Sequence, residues 1–241
     1  MLGLRNGALA AALGAALLGG AGSSAQAALL DGSFEGQGTS VGIGGNSFCY
    51  FGTGCGNAPW SGGSGAGLQY EGNTAWPGNP TPDGVYYAFL QNRGFLSQTF
   101  FIAQSGRYVF GWIDSGRSQI SFFDGNQQYE VTLTPLAQNQ RGRFSYLADN
   151  AAGTTLYTGA TTSSQPFTAR SSAAVDLAAG LYTLRFEGLR AGGDSTAFID
   201  AVTVSSLTAA VPEPSAWALL ILGFGVLGAG LRSRGRALAT A

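Results

Sequence analysis

The middle of this 241-residue chain predicts an all-β fold, an antiparallel β-sandwich. Three observations point there. Short strand-like runs recur at regular spacing between Gly-containing turns. Alternation with period two is clear in places: Tyr182, Leu184 and Phe186 fall on one face, Thr183, Arg185 and Glu187 on the other. No convincing amphipathic helix interrupts these runs.

The elements follow in order. From Leu29 to about Gly84 the chain reads as loop, with glycine clusters such as Gly42-Ile43-Gly44-Gly45 and Ser61-Gly62-Gly63-Ser64-Gly65. Strands are expected at 85–90, 96–102 and 107–113, the last two joined at a Ser105-Gly106 turn. A hairpin at 119–123 and 129–133 turns on Asp124-Gly125-Asn126. Strands at 165–169, 173–176, 181–187 and 197–204 complete the set. Trp112 lies two residues from Phe110 on a strand and is expected in the core. Tyr86 and Tyr87 occupy opposite faces of one strand, so only one of them should point inward.

Both ends of the chain read as targeting segments. Arg5, an apolar stretch over residues 8–18 and Ser24-Ala25-Gln26-Ala27 form a signal peptide over 1–27, cut by signal peptidase after Ala27. The exported domain is then 28–207, long enough for one real core. At the other end, residues 216–231 are free of charge. As a helix they would span roughly 24 Å, a little short of a ~30 Å hydrocarbon core. Trp217 at one interface and Arg232, Arg234 and Arg236 at the other can extend it into a single transmembrane helix. The arginines favour the cytoplasmic side, which leaves the domain outside. A buried core helix is the alternative, but the segment has no polar face.

Pro212-Glu213-Pro214, Trp217, the apolar span with Gly223 and Gly225, and the Arg cluster resemble the PEP-CTERM sorting signal of Gram-negative bacteria. The resemblance covers 208–241. It implies that a membrane protease, exosortase, cuts near the triplet, and that the protein moves from a transient inner-membrane anchor to the cell surface or extracellular matrix.

Composition excludes several functions. Residues 28–211 hold eight Arg against twelve Asp and Glu, a net charge of −4, with no Lys and no His. A nucleic-acid partner is not expected without a basic patch. A Ser-His-Asp triad and a Gly-Lys-Ser/Thr phosphate loop lack their residues. Glycosidase chemistry needs two carboxylates across a cleft. No pair stands out among Glu35, Glu71, Asp83, Asp114, Asp124, Glu130 and Glu187, so the domain is expected not to be an enzyme. Cys49 and Cys55, exported to an oxidising compartment, are expected to close a small disulfide loop. Zinc lacks further ligands. Sugars are held by aromatic platforms with polar side chains beside them. The loop-rich segment offers Tyr50, Phe51, Trp60, Tyr70 and Trp76, and Trp76, Tyr70 and Trp60 are the candidates.

Asp31-Gly32-Ser33-Phe34-Glu35 at the start, Trp60, Pro82-Asp83-Gly84, Leu96-Ser97-Gln98-Thr99-Phe100 and the closing Phe198-Ile199-Asp200-Ala201-Val202 resemble the galactose-binding-like jelly roll of many carbohydrate-binding modules. That resemblance implies a jelly roll whose first and last strands lie close together. It also implies a structural calcium between Glu35 and Asp200, bound through hard oxygens. No other cofactor is implied. Asp31 replaces the family's usual Asn, and Ala201 removes one polar position. The alternative is that Glu35 caps a turn and Asp200 accepts backbone amides. The expected function is binding of extracellular polysaccharide. The other open reading is a matrix protein that needs no ligand.

Overall fold

A computed structural model describes residues 29–45, 47–63, 65–74, 77–118, 126–138, 144–146, 153–207 and 220–224. The chain forms α1 (Glu35–Ser40), then β1 (Phe48–Tyr50), β2 (Ser61–Gly62), β3 (Ala66–Tyr70), β4 (Tyr86–Gln91), β5 (Phe95–Ile102) and β6 (Gly106–Gly116). It continues with β7 (Gln128–Gln138), β8 (Phe144–Tyr146), β9 (Thr154–Ala160), β10 (Thr168–Ser171), β11 (Val175–Leu177), β12 (Gly180–Gly188) and β13 (Thr196–Ser206).

Among the described residues the strands make two antiparallel sheets. One runs β1-β3-β4-β13-β6-β10, with β11 also along β6. The other runs β2-β5-β12-β7-β8, with β9 also along β7. This is an antiparallel jelly-roll sandwich, as the strand spacing predicts. Its core lies between the sheets. Leu68, Ala88, Leu90, Phe110, Trp112 and Ile199 face Leu96, Phe100, Val131, Leu133, Leu184 and Phe186. The alternation predicted for β12 holds, with Leu184 and Phe186 fully buried.

Three findings differ from the sequence expectation. The segment read as loop contains β1, β2, β3 and α1. These strands are short and rich in glycine, so periodicity is faint, and their order comes from pairing with β4 and β5. The six-residue α1 is too short to show a helical period. It forms because the Asp31 carboxylate accepts the amides of Gly36 (2.8 Å) and Gln37 (2.6 Å) at its first turn. Tyr86 and Tyr87 take opposite faces with one pointing inward, as expected; the third difference is that both are nevertheless buried. Tyr86 faces the sandwich core, while Tyr87 joins Phe89 and Phe198 in a second aromatic cluster on the outer face of the sheet. A loop covers that cluster: a side chain at Gly78 would strike the rings of Phe198 and Tyr87.

The expected hairpin strand at 119–123 and the signal peptide at 1–27 lie outside the described residues. Residues 220–224 are helical and exposed. Among the described residues no helix is long and apolar enough to cross a membrane, and most of the expected span 216–231 falls outside them.

Candidate functional site

The N-terminal segment of the domain meets its last strand, while the first strand, β1, is separated from β13 by β3 and β4. The Val202 amide donates to the Gly32 carbonyl at 2.8 Å, and a Cβ at Gly32 would lie 2.0 Å from the Val202 carbonyl oxygen. Only glycine admits this approach. The register of β13 against β6 shifts between Asp200 and Thr203, and Ala201 sits there at φ 49°. A non-glycine residue in that region is uncommon and marks a constrained site.

Glu35 and Asp200 come together at this junction. One Glu35 oxygen, Oε1, accepts the amides of Val85 and Tyr86, both at 2.7 Å. Asp200 is fully buried and accepts the Thr81 hydroxyl at 2.5 Å and the Ala201 amide at 2.7 Å. Burial pushes the Asp200 carboxyl up to about 8. The bonds from Thr81 and Ala201 pull it back, while the negative charges of Asp83 and Glu35 push it further up. The charges acting on this buried carboxylate are thus both negative. The oxygens there are hard ones, two carboxylates and a hydroxyl. That chemistry fits calcium. Among the described residues no three His, Cys, Asp or Glu side chains could hold a metal by themselves, so carbonyl or hydroxyl oxygens must complete any shell.

The aromatic candidates separate. Trp60 is fully buried between Phe34 (5.2 Å between ring centroids) and Phe186 (6.4 Å), and its indole N–H donates to the Asp31 carbonyl at 2.8 Å. It has no surface to offer a sugar, which corrects its place among the binding candidates. Tyr70 is half-buried, edge-on to Tyr86 at 5.4 Å. Trp76 lies outside the described residues, as do Pro212, Glu213, Pro214, Trp217, Arg232, Arg234 and Arg236. Trp112 is in the core, as expected.

Cys49 and Cys55 are joined in a disulfide. The loop it closes forms one wall of an open groove of about 450 Å³, lined by Tyr50, Phe51, Gly52 and Thr53 on one side and Gly62, Gly63 and Gly65 on the other. Tyr50 is half-buried, edge-on to Phe89 at 5.4 Å. Nothing in the sequence places this groove, because its two walls are joined through pairing with β5 and β4. The Gly62-Gly63 cluster was the available signal.

A buried polar network also escaped sequence reasoning. Asp114, fully buried, accepts the Arg170 Nε–H with both oxygens (3.0 Å each), the Tyr129 hydroxyl at 2.6 Å and the Gln165 amide at 2.9 Å. The Trp112 indole donates to the Tyr129 oxygen at 2.9 Å. Burial and the Asp114 charge hold the Tyr129 hydroxyl far above its ordinary range, so it stays protonated. Every partner is engaged within the fold, and the network serves structure.

Residues 210–235 match the PEP-CTERM protein-sorting motif. That match marks an exported protein processed by exosortase. No curated protein matches the chain. Among solved structures the chain is similar to TmCBM61 in complex with β-1,4-galactotriose, with 12% identity over 76% of this chain and 99% of that one, at a TM-score of 0.45. It is also similar to the C-terminal family 22 carbohydrate-binding module of Clostridium thermocellum Xyn10B, with 11% identity over 70% of this chain and 99% of that one, at 0.41. A third is the module CBM6cm-2 of Cellvibrio mixtus lichenase 5A in complex with cellotriose, with 15% identity over 60% and 89%, at 0.36.

Proposed function

We propose that this chain is a non-catalytic surface or matrix module that binds extracellular polysaccharide, with a structural calcium ion at Glu35 and Asp200. The observation that carries the reading is the sorting motif over 210–235, which sends the sandwich to the compartment where such polymers lie. The jelly roll supports it, because it presents a rigid scaffold with glycine-rich loops at its ends. The buried carboxylates support the non-catalytic part: Asp114 is neutralised within the fold, and Asp200 lies beneath Thr81. When bound, calcium would balance the Glu35 and Asp200 charges and fix the first segment of the domain to β13.

A second reading is a matrix protein without a ligand. The burial of Trp60 and Trp112 favours it, since it removes two aromatic side chains from the surface. Affinity electrophoresis of the full chain in mild detergent separates the two. Retardation in gels holding a neutral or an acidic polysaccharide, but not in plain gels, is expected. Unchanged mobility in every gel leaves the matrix reading.

A further inference from the structure

The two ends of the sandwich differ. β13 runs from Thr196, paired with Gln91, to Ser206, paired with Tyr108. A strand of this length spans roughly 33 Å. The chain leaves at the Ser206 end, where the Leu207 amide donates to the Arg107 carbonyl at 2.8 Å, and the sorting tail follows. The groove lies at the other end. The Gln91 amide donates to the Gly65 carbonyl at 2.6 Å, and the Gly63 amide to the Phe95 carbonyl at 3.0 Å. The groove and the point where the chain leaves the sandwich are thus at opposite ends of β13.

The groove is also preformed. Its glycine wall is obligatory: a Cβ at Gly63 would lie 2.2 Å from the Phe95 ring, and Gly65 stands at φ +88° with a backbone oxygen 2.5 Å from where a Cβ would be. The opposite wall is the loop clasped by Cys49 and Cys55. Within it the Tyr50 carbonyl accepts the amides of Gly54 and Cys55, both at 3.0 Å. None of the seven lining residues is charged. They offer the half-buried ring of Tyr50, the exposed Thr53 side chain, and backbone amide and carbonyl groups. The volume falls within the ~300–1,000 Å³ of small-ligand sites.

We infer that this groove, at the end of the sandwich opposite the Ser206 end of β13, holds a short stretch of uncharged sugar chain. An uncharged lining excludes an anionic polymer as the matched occupant, because its charge would be desolvated without a partner. A ring beside polar groups suits the apolar faces and polar edges of a neutral sugar. The disulfide holds the wall in its binding shape, so less ordering is needed when the ligand arrives. The inference rests on the polysaccharide-binding reading and names its site.

The test uses the full chain in mild detergent, with dextran, laminarin and galactan as neutral probes and alginate as the charged one. Thr53 is exposed, so Thr53→Arg fills the groove without disturbing the core. It is expected to weaken binding to the preferred neutral probe at least tenfold with the melting temperature unchanged. Tyr50→Ala should weaken binding as well, with some loss of melting temperature because its ring also packs on Phe89, and a reductant should weaken wild-type binding several-fold. Phe101→Ser, an exposed site at the end of β5 away from Phe95 and the groove, should leave binding intact. Wild-type affinity retained by Thr53→Arg, or binding to alginate alone, overturns the groove while the polysaccharide reading stands. A wild type that binds none of the four probes overturns both.

Discussion

Asp114 and Asp200 lie on paired strands of one sheet, and both are fully buried. Asp114 on β6 points between the sheets and meets a cation of its own chain, Arg170 on β10, with Tyr129 and Gln165 completing its shell. Asp200 on β13 points the other way. Thr81 and the Ala201 amide bond to it, and the charges nearby are those of Asp83 and Glu35. A buried carboxylate is stable only when its charge is compensated or removed. The fold solves this internally for Asp114. For Asp200 it leaves the solution to a proton or to a cation from outside. The first residue is therefore a fixed strut and the second a point where solution conditions act.

Breaking the internal solution should have the largest effect. Arg170→Met removes the cation but keeps the bulk, and leaves Asp114 buried without a counter-charge. A loss of about 3 kcal/mol is expected, as for other broken buried pairs. In chemical denaturation, Asp114→Asn on that background should recover part of the loss, because no buried charge then remains. If Arg170→Met melted like the wild type, Asp114 would be neutral in the fold and the contrast with Asp200 would collapse.

The open solution should respond to pH and calcium. The Asp200 carboxyl is raised from about 3.8 in the unfolded chain to about 8 in the folded one. Between these values the folded state holds a proton that the unfolded state has lost. The stability it contributes is full below about pH 4 and is lost as pH rises through about 8. In chelator, the melting temperature of the wild type should fall between pH 5 and 9 relative to Asp200→Asn, which cannot ionise there. Calcium should reverse the order and stabilise the wild type most at the alkaline end. At a hundredfold excess over its dissociation constant the gain is about 2.7 kcal/mol, and Asp200→Asn should show far less. Matching profiles for wild type and variant, with and without calcium, would make Asp200 as self-sufficient as Asp114.

The two carboxylates also show how far the sequence was legible. Asp200 stood out because it belongs to a local motif, Phe198-Ile199-Asp200-Ala201-Val202, near the end of the last strand. The expectation that it meets Glu35 is consistent with the geometry of the first segment. Asp114 did not stand out, since Tyr129 and Arg170 reach it from two separate strands and Gln165 from the segment before β10, 15 to 56 positions away. The strands β5, β6, β12 and β13 were readable as regularly spaced strand-like runs, β12 also from its alternation. The short β1, β2 and β3 were not, because their order comes from pairing partners. Tyr87 took the face expected of it, but its burial, like that of Trp60 in the segment read as loop, was not legible. Alternation tells which face a side chain takes, but not that α1, the N-terminal segment or a loop will cover it.

Exposed charges set the lower limit of the comparison. Arg107 and Asp176 face each other across β6 and β11 at 3.5 Å, with side chains 62% and 80% exposed. Water screens this pair, and holding two mobile side chains costs entropy, so it should contribute at most about 0.5 kcal/mol. Asp176→Asn should shift the denaturation midpoint barely above error in low salt and not at all in 1 M salt, where the screening length is about 3 Å. A loss above about 1 kcal/mol would show that the three-residue β11 depends on this pair for its place along β6. The shortness of its strand would then weigh on Asp176 beside its exposure. With the small effect expected here, burial alone decides how much a carboxylate and its compensation matter in this sheet.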